Sequence, residues 1–145
     1  MARIIVTPIQ KRFSDIDIFR HVNNVAQQMY FDVGKTDYYK RVFGHDILYD
    51  NLRIVTVSTS TSYMSQVRYD DDIEVTTCTD RIGNKSMTLV QCILRREADG
   101  STTVCSQSTS VMVAFDFAAQ QSVAVPDLWR RQILGDAAAG EDSLK

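Results

Sequence analysis

The stretch RFSDIDIFRHVNN, residues 12–24, carries most of the information about the fold of this chain. Asp15 and Asp17 stand two residues apart at the end of an extended apolar segment, and His21 follows four residues after the second carboxylate. Two asparagines then precede a long segment with the pattern of one helix. A carboxylate is thereby predicted beside the positive end of a helix. This combination supplies a group that attacks a carbonyl or activates water, together with backbone N–H donors for a developing oxyanion.

The segment from Val22 to Val42 has the periodicity of a helix, and its apolar positions predict the face that packs on the core. Gly34 inside this helix costs about 1 kcal/mol relative to Ala, which indicates that another backbone approaches closely there. A side chain from the preceding loop is expected to cap the first turn, with Asp17, His21 or Asn24 as the candidates. The predicted buried stripe consists of Val22, Val25, Met29 and Val33, with Ala26, Tyr30 and Phe31 widening it.

The remaining segments are strand-like and alternate with turn signals. Pro8 predicts a sheet edge or a bulge in the first strand, because proline has no N–H to donate to a ladder. Pro126 predicts a short helix through Leu134. The predicted strands span residues 3–13, 52–69, 73–82, 86–96 and 102–117.

This order of elements predicts an α+β fold in which an antiparallel five-stranded sheet wraps around one long central helix. Residues 1–134 are predicted to form a single domain, and residues 135–145 a flexible C-terminal tail. Such a sheet leaves at least one edge strand unpaired, which favours pairing with a second copy of the chain.

Composition excludes several classes of function. A net charge of −2 with scattered Lys and Arg residues gives no footprint for nucleic acid or an anionic membrane surface. No apolar run approaches the roughly 20 residues of a membrane-spanning helix, and the apolar start of the chain is too short for a signal peptide. The three cysteines show no metal-ligand spacing and are expected to be buried thiols. A cytoplasmic location follows from these features.

The motif Phe13-Ser14-Asp15-Ile16-Asp17, followed by His-Val-Asn-Asn at residues 21–24, resembles that of hotdog-fold acyl-CoA thioesterases of the 4-hydroxybenzoyl-CoA thioesterase-like family. Residues 67–75 and 83–87 are similar to two further segments of that family, and the resemblance covers about residues 4–130. One departure is visible, because the residue before the histidine is commonly Gly in the family and is Arg20 here.

The resemblance implies hydrolysis of an acyl-CoA thioester at a site between two subunits of a homodimer or homotetramer. It assigns catalysis to Asp17 and the oxyanion site to a backbone N–H near Asn23 or Asn24, with Asp15 and His21 in supporting roles. Direct attack by the carboxylate and activation of water both remain open. A thioester carbonyl is electrophilic enough to need neither a metal nor another cofactor, so none is expected.

Two other functions remain open at this point. The first is a non-catalytic hotdog module that binds acyl-CoA, and the second is a hotdog enoyl-CoA hydratase or dehydratase. Asp32 on the helix is a reserve candidate for the acid, because some hotdog thioesterases place their carboxylate there. The many Thr and Ser residues over positions 56–65 fit either β propensity or a polar groove for the pantetheine chain.

Overall fold

The computed structural model describes residues 2–48 and 51–141. The strands are β1 (Ile5–Pro8), β2 (Leu52–Tyr63), β3 (Asp72–Ile82), β4 (Ser86–Arg96), β5 (Thr102–Asp116) and β6 (Gln121–Ser122). The α-helices are α1 (Asn24–Val42) and α2 (Asp127–Leu134), and short 3-10 helices cover Phe13–Asp15 and Gly44–Leu48.

The strands form one antiparallel sheet in the order β1-β3-β4-β5-β2, which confirms the predicted α+β arrangement. The two-residue strand β6 is an addition to the five predicted strands. It pairs with Phe115 and Asp116, where β5 extends beyond its last pair with β4. Pro8 lies at a sheet edge as predicted, and β2 forms the other edge with 12 residues.

The predicted apolar stripe of α1 is wrong at Val25, Met29 and Val33, whereas Ala26, Tyr30 and Phe31, which were predicted to widen it, are buried. Val25, Met29 and Val33 are 72%, 48% and 50% exposed, and Val22 is buried but precedes the helix. The face that packs on the sheet is instead made largely of aromatic, small and polar side chains. Its buried members are Ala26, Gln27, Tyr30, Phe31, Gly34, Tyr38 and Val42.

Hydrogen bonds to the sheet explain why this polar face is the buried one. Tyr38 Oη lies 2.6 Å from Thr79 Oγ1 on β3, and Gln27 Oε1 accepts a 2.8 Å hydrogen bond from Ser106 Oγ on β5. A buried polar group that is hydrogen-bonded avoids most of its desolvation penalty. The polar side chains of α1 are therefore buried because their hydrogen-bond partners, which are distant in the sequence, lie on the sheet.

Gly34 permits a close approach, but of side chains and not of a backbone as predicted. A Cβ at this position would lie 2.6 Å from Val75 Cγ1, 3.1 Å from Gln91 Nε2 and 3.2 Å from Thr77 Oγ1. Gly34 therefore packs directly on β3 and β4, and α1 lies at a short distance from the sheet.

Three boundaries differ from the sequence expectations. The helix N-cap is Asn23 and none of the three predicted residues, since Asn23 Oδ1 accepts a 2.7 Å bond from Ala26 N–H. The first strand covers only Ile5–Pro8. The second strand ends at Tyr63 and not at residue 69, because the next two N–H groups both donate to the carbonyl of Cys105 and the ladder stops there.

The C-terminal helix closes one end of the domain. The Trp129 ring packs 5.8 Å from that of Phe43, centroid to centroid, just after the end of α1. Gly135 ends α2 with a φ of 83°, a left-handed conformation that favours glycine. In the predicted tail, Gly140 N–H donates to Phe43 O at 3.0 Å, while residues 142–145 lie outside the described part of the chain. Neither helix is long and apolar enough to span a bilayer, as far as residues 2–48 and 51–141 are concerned.

Candidate active site

The loop that carries the central motif is closed on itself and tied to the body of the domain. Ile16 and Val22 form an isolated antiparallel bridge, and Asp17 N–H donates to His21 O at 3.1 Å. Val22 N–H donates to Val67 O at 2.7 Å in the connection between β2 and β3. The loop thus holds Asp17 and His21 in fixed positions at the start of α1.

Asp17 is half-buried and presents one free carboxylate oxygen. Its Oδ1 accepts a 2.8 Å hydrogen bond from Phe19 N–H, which fixes the side-chain orientation. Its Oδ2 has no hydrogen-bond partner in the described residues. Because Oδ2 is unoccupied, it is available to a water molecule or to a substrate carbonyl carbon.

Arg20 occupies the position where the resembled family commonly has glycine. Its φ is 67°, in the left-handed region that L-residues with a Cβ rarely adopt. Arg20 N–H donates to Asp17 O at 3.0 Å, which closes a tight turn and imposes this conformation. The departure from the motif therefore leaves the turn intact and replaces glycine by a strained residue.

The first turn of α1 has two unoccupied backbone donors. Asn23 N–H donates to Asp15 O at 3.0 Å, and Asn23 Oδ1 binds Ala26 N–H. The N–H groups of Asn24 and Val25 have no acceptor within the described residues. Of the two predicted oxyanion positions, Asn24 is thus the one whose N–H is free. Free donors at a helix N-terminus favour negative charge.

Asp15 is buried in a network of hydrogen bonds and does not line the cavity of Asp17. Tyr30 Oη donates to it at 2.5 Å, and the Arg12 guanidinium pairs with its Oδ1 at 3.0 Å. Burial opposes ionisation, but the hydrogen bonds from Tyr30 and Arg12 outweigh it and lower the pKa of Asp15. Burial and the Asp15 acceptor together raise the pKa of Tyr30. Asp15 therefore holds the loop against α1, and its carbonyl orients the N-cap.

A cavity of about 400 Å³ brings the predicted site residues together. Asp17, His21 and Asn24 line it from the loop and the helix start, so three of the five predicted site residues meet there. Gln27 and Tyr63 complete its wall beside β2. A carboxylate with a free oxygen, an imidazole and a helix N-terminus thus share one cavity, which is the set needed for acyl transfer.

A second groove of about 870 Å³ is larger but lacks this combination. It runs between the β1 segment and the face of α1 that carries Met29 and Val33. Its carboxylates are Asp32, whose side chain is 77% exposed, and Asp37, which is engaged by Thr7 at 2.6 Å and by Arg41. Chemistry and not size therefore identifies the Asp17 cavity as the candidate site.

The sequence analysis did not predict Tyr63, which lines the cavity, or Gln28, which contacts Tyr63 from outside the lining. Tyr63 lines the cavity, and its hydroxyl is held by Gln28 Nε2 at 2.9 Å. The only sequence signal for Tyr63 was its place at the end of the Thr- and Ser-rich strand. Gln28 gave no signal, because a glutamine on a helix is usually solvated.

The curled sheet around one long helix is the hotdog fold, and comparisons with solved structures agree. A mutant of 4-hydroxybenzoyl-CoA thioesterase complexed with 4-hydroxybenzoyl-CoA superposes with a TM-score of 0.82. It is 17% identical, and the match covers 91% of this chain and 99% of that one. At this identity the likeness shows the fold alone.

The chain belongs to the thioesterase-like superfamily, whose family model matches residues 12–133. This finding confirms the predicted family resemblance. A predicted thioesterase from Bacillus stearothermophilus is 28% identical, with a TM-score of 0.80 over 95% of this chain and 99% of that one. The uncharacterized protein YsmA of Bacillus subtilis is 30% identical over 83 residues, or 56% of this chain. That match spans only about half (54%) of the length of YsmA.

Proposed function

We propose that this protein hydrolyses an acyl-CoA thioester to the free acid and CoA, with Asp17 as the catalytic carboxylate. The observation that carries the proposal is one cavity that is lined both by Asp17, whose Oδ2 is free, and by Asn24, whose N–H is unpaired in the described residues. Membership of the thioesterase-like superfamily supports the reaction. The acyl-CoA complex of the similar 4-hydroxybenzoyl-CoA thioesterase supports the class of substrate.

The free N–H groups of α1 would polarise the thioester carbonyl. Asn24, with Val25 beside it, offers donors that no protein acceptor in the described residues occupies. One such donor contributes about 3 kcal/mol of transition-state stabilisation, or roughly a hundredfold in rate. These donors are already oriented in the free protein, since the Asn23 cap fixes the first helical turn.

Asp17 can act by two routes, which differ in whether oxygen from water enters its carboxylate. In the first, Oδ2 attacks the carbonyl carbon, the C–S bond breaks, CoA leaves as a thiolate that is then protonated, and water hydrolyses the resulting mixed anhydride. In the second, Asp17 takes a proton from water, the hydroxide attacks, and the proton passes to the leaving thiolate. In ¹⁸O-water under single turnover, incorporation of label into Asp17 supports the first route, provided that water attacks the anhydride at the Asp17 carbonyl.

His21 and Asp15 would support this chemistry from different positions. The His21 imidazole lines the same cavity and is placed to contact substrate or the Asp17 carboxylate. Asp15 acts at a distance, because its carbonyl accepts the N–H of Asn23 and its carboxylate holds Arg12 and Tyr30. Asp15 is therefore a positioning residue.

We also propose that the active form is a homodimer or homotetramer with the site at a subunit interface. The edge strand β2 presents 12 residues with no strand beyond it in the described part of the chain. Tyr63 at the end of β2 lines the Asp17 cavity, so a copy that pairs with this edge would lie beside the site. An unpaired edge of this length is otherwise prone to aggregation. Light scattering coupled to gel filtration measures the assembly directly.

The deciding experiment measures thiol release from a panel of acyl-CoAs. Asp17→Asn is expected to lower kcat/KM by about a hundredfold or more, at matched folding and oligomeric state. Asp32→Asn is the control, since Asp32 is an exposed carboxylate on α1 outside the Asp17 cavity. A loss in Asp32→Asn with full activity in Asp17→Asn would refute the assignment of the carboxylate.

The same panel separates the other two functions. Saturable acyl-CoA binding without thiol release in the wild type would indicate a binding module. Loss of the enoyl absorbance without thiol release would indicate a hydratase. Either result would overturn the proposed hydrolysis.

A further inference from the structure

One glutamine of α1 contacts the end of β2 that lines the Asp17 cavity. Gln28 Nε2 donates two 2.9 Å hydrogen bonds, one to Tyr63 Oη and one to Thr61 Oγ1. Gln28 lies on α1 directly after Gln27, which lines the cavity with Tyr63. The hydroxyl of Tyr63, a lining residue of the cavity, is therefore tied to α1 through Gln28.

Behind this pair, the surface shared by β2 and β5 is polar. Thr61 Oγ1 donates to Ser108 Oγ at 3.1 Å, and Thr59 Oγ1 lies 3.1 Å from Ser110 Oγ. The strand register places these residues opposite each other, on the face that reaches α1 through Gln28. An alkyl chain that extended along this surface would meet hydroxyl groups and would gain little from burial.

The hydrogen-bonding directions leave one donor and one acceptor free. Tyr63 Oη accepts from Gln28, and its own O–H has no acceptor in the described residues. Gln28 Oε1 likewise has no donor there, since both hydrogen bonds of this side chain use Nε2. The Thr61 O–H is already donated to Ser108. A hydroxyl, which both accepts and donates a hydrogen bond, could bind the free Tyr63 O–H and Gln28 Oε1 at once.

We propose that the acyl group is short and carries a hydroxyl, with Gln28 and Tyr63 as the residues that select it. The inference rests on the proposed thioester hydrolysis and adds the substrate class. A hydroxyl on the acyl chain would accept from Tyr63 Oη and donate to Gln28 Oε1. The matched alkyl chain would leave both groups without these bonds, and next to them it would meet the hydroxyl groups of Thr59 and Thr61.

The test compares 3-hydroxybutyryl-CoA with butyryl-CoA, and adds a straight-chain series from acetyl-CoA to dodecanoyl-CoA. We expect kcat/KM to be roughly tenfold higher for the hydroxyacyl substrate, as two partly exposed hydrogen bonds would give. We expect no rise in kcat/KM with chain length beyond butyryl-CoA. Tyr63→Phe and Gln28→Leu should each bring the ratio of the two four-carbon substrates towards one. Tyr69→Phe, an exposed tyrosine paired with Phe13, is the matched control and should keep the ratio.

The outcomes distinguish this inference from the proposed function. Hydrolysis with equal rates for the two four-carbon substrates, or with rates that climb steadily to dodecanoyl-CoA, overturns the inference and leaves the hydrolysis intact. A ratio that is unchanged in both Tyr63→Phe and Gln28→Leu also overturns it. If no substrate releases thiol, the proposed function fails, and calorimetry on the wild type then decides. Tighter binding of 3-hydroxybutyryl-CoA by about tenfold supports the selection, and equal Kd values refute it.

Discussion

The substitution Gly34→Ala gives opposite predictions from the helix alone and from the packed structure. In an isolated helix the change would stabilise by about 1 kcal/mol, because alanine has the higher helix propensity. In this protein the added Cβ would lie 2.6 Å from Val75 Cγ1, a distance that real Cβ contacts essentially never show. It would also lie 3.1 Å from Gln91 Nε2. Something in the interface between α1 and the sheet must therefore move.

The expected magnitude depends on what moves. Overpacking of a well-packed core costs about 2 kcal/mol. Gln91 Nε2 donates to Phe31 O at 2.8 Å and to Thr77 Oγ1 at 2.9 Å, so a shift of this amide would break buried hydrogen bonds. That loss adds about 2 kcal/mol. After subtraction of the gain in propensity, Gly34→Ala is expected to destabilise by about 1 kcal/mol if Gln91 stays and about 3 kcal/mol if it moves.

Denaturant unfolding measures this change directly, with Thr36→Ala as the control on the exposed side of the same helix. Thr36→Ala should be neutral or stabilise by a few tenths of a kcal/mol. The double variant Gly34→Ala/Val75→Ala removes Cγ1, so its destabilisation should be smaller than the sum of the single changes by about 1 kcal/mol. A higher stability of Gly34→Ala, or strict additivity with Val75→Ala, would refute the role given to this contact.

Two further predictions concern the loop that carries the site. The pKa of Asp15 is lowered in the folded protein, so its contribution to stability is present above its unfolded pKa of about 4 and is lost as the pH falls through the lower folded value. Asp15→Asn should thus lower the free energy of unfolding at pH 7 by roughly 2 kcal/mol. The stability of the variant should also fall less steeply than that of the wild type below about pH 4. Parallel acid-unfolding curves for the two proteins would contradict this prediction. Arg20→Gly removes a left-handed strain of about 1 kcal/mol but adds unfolded-state entropy of similar size. Its unfolding free energy should therefore stay within about 0.5 kcal/mol of the wild type, and a loss above about 2 kcal/mol would show that Arg20 makes a contact beyond its backbone conformation.

The local rules of the sequence predicted the main helices and strands and part of the lining of the candidate site. Pro8 predicted an edge strand or a bulge, and the turn signals between the strand-like segments predicted the breaks between β3, β4 and β5. The close spacing of Asp17, His21 and Asn24 predicted that they would meet, because a short loop before a helix cannot separate them widely. The structure places all three on one cavity.

The tertiary structure decided which polar side chains of α1 are buried, which of its predicted apolar positions are exposed, and what else lines the site. Gln27 and Tyr38 are buried because Ser106 and Thr79 reach them across the sheet, 79 and 41 residues away in the chain. The exposure of Met29 is the counterpart of that choice. Sequence patterns record hydrophobicity at local spacing, whereas the cost of burying a polar group depends on whether a partner lies within about 3 Å. Only the fold brings those partners together, so the sequence determined the chemistry of the site and the tertiary structure determined its walls.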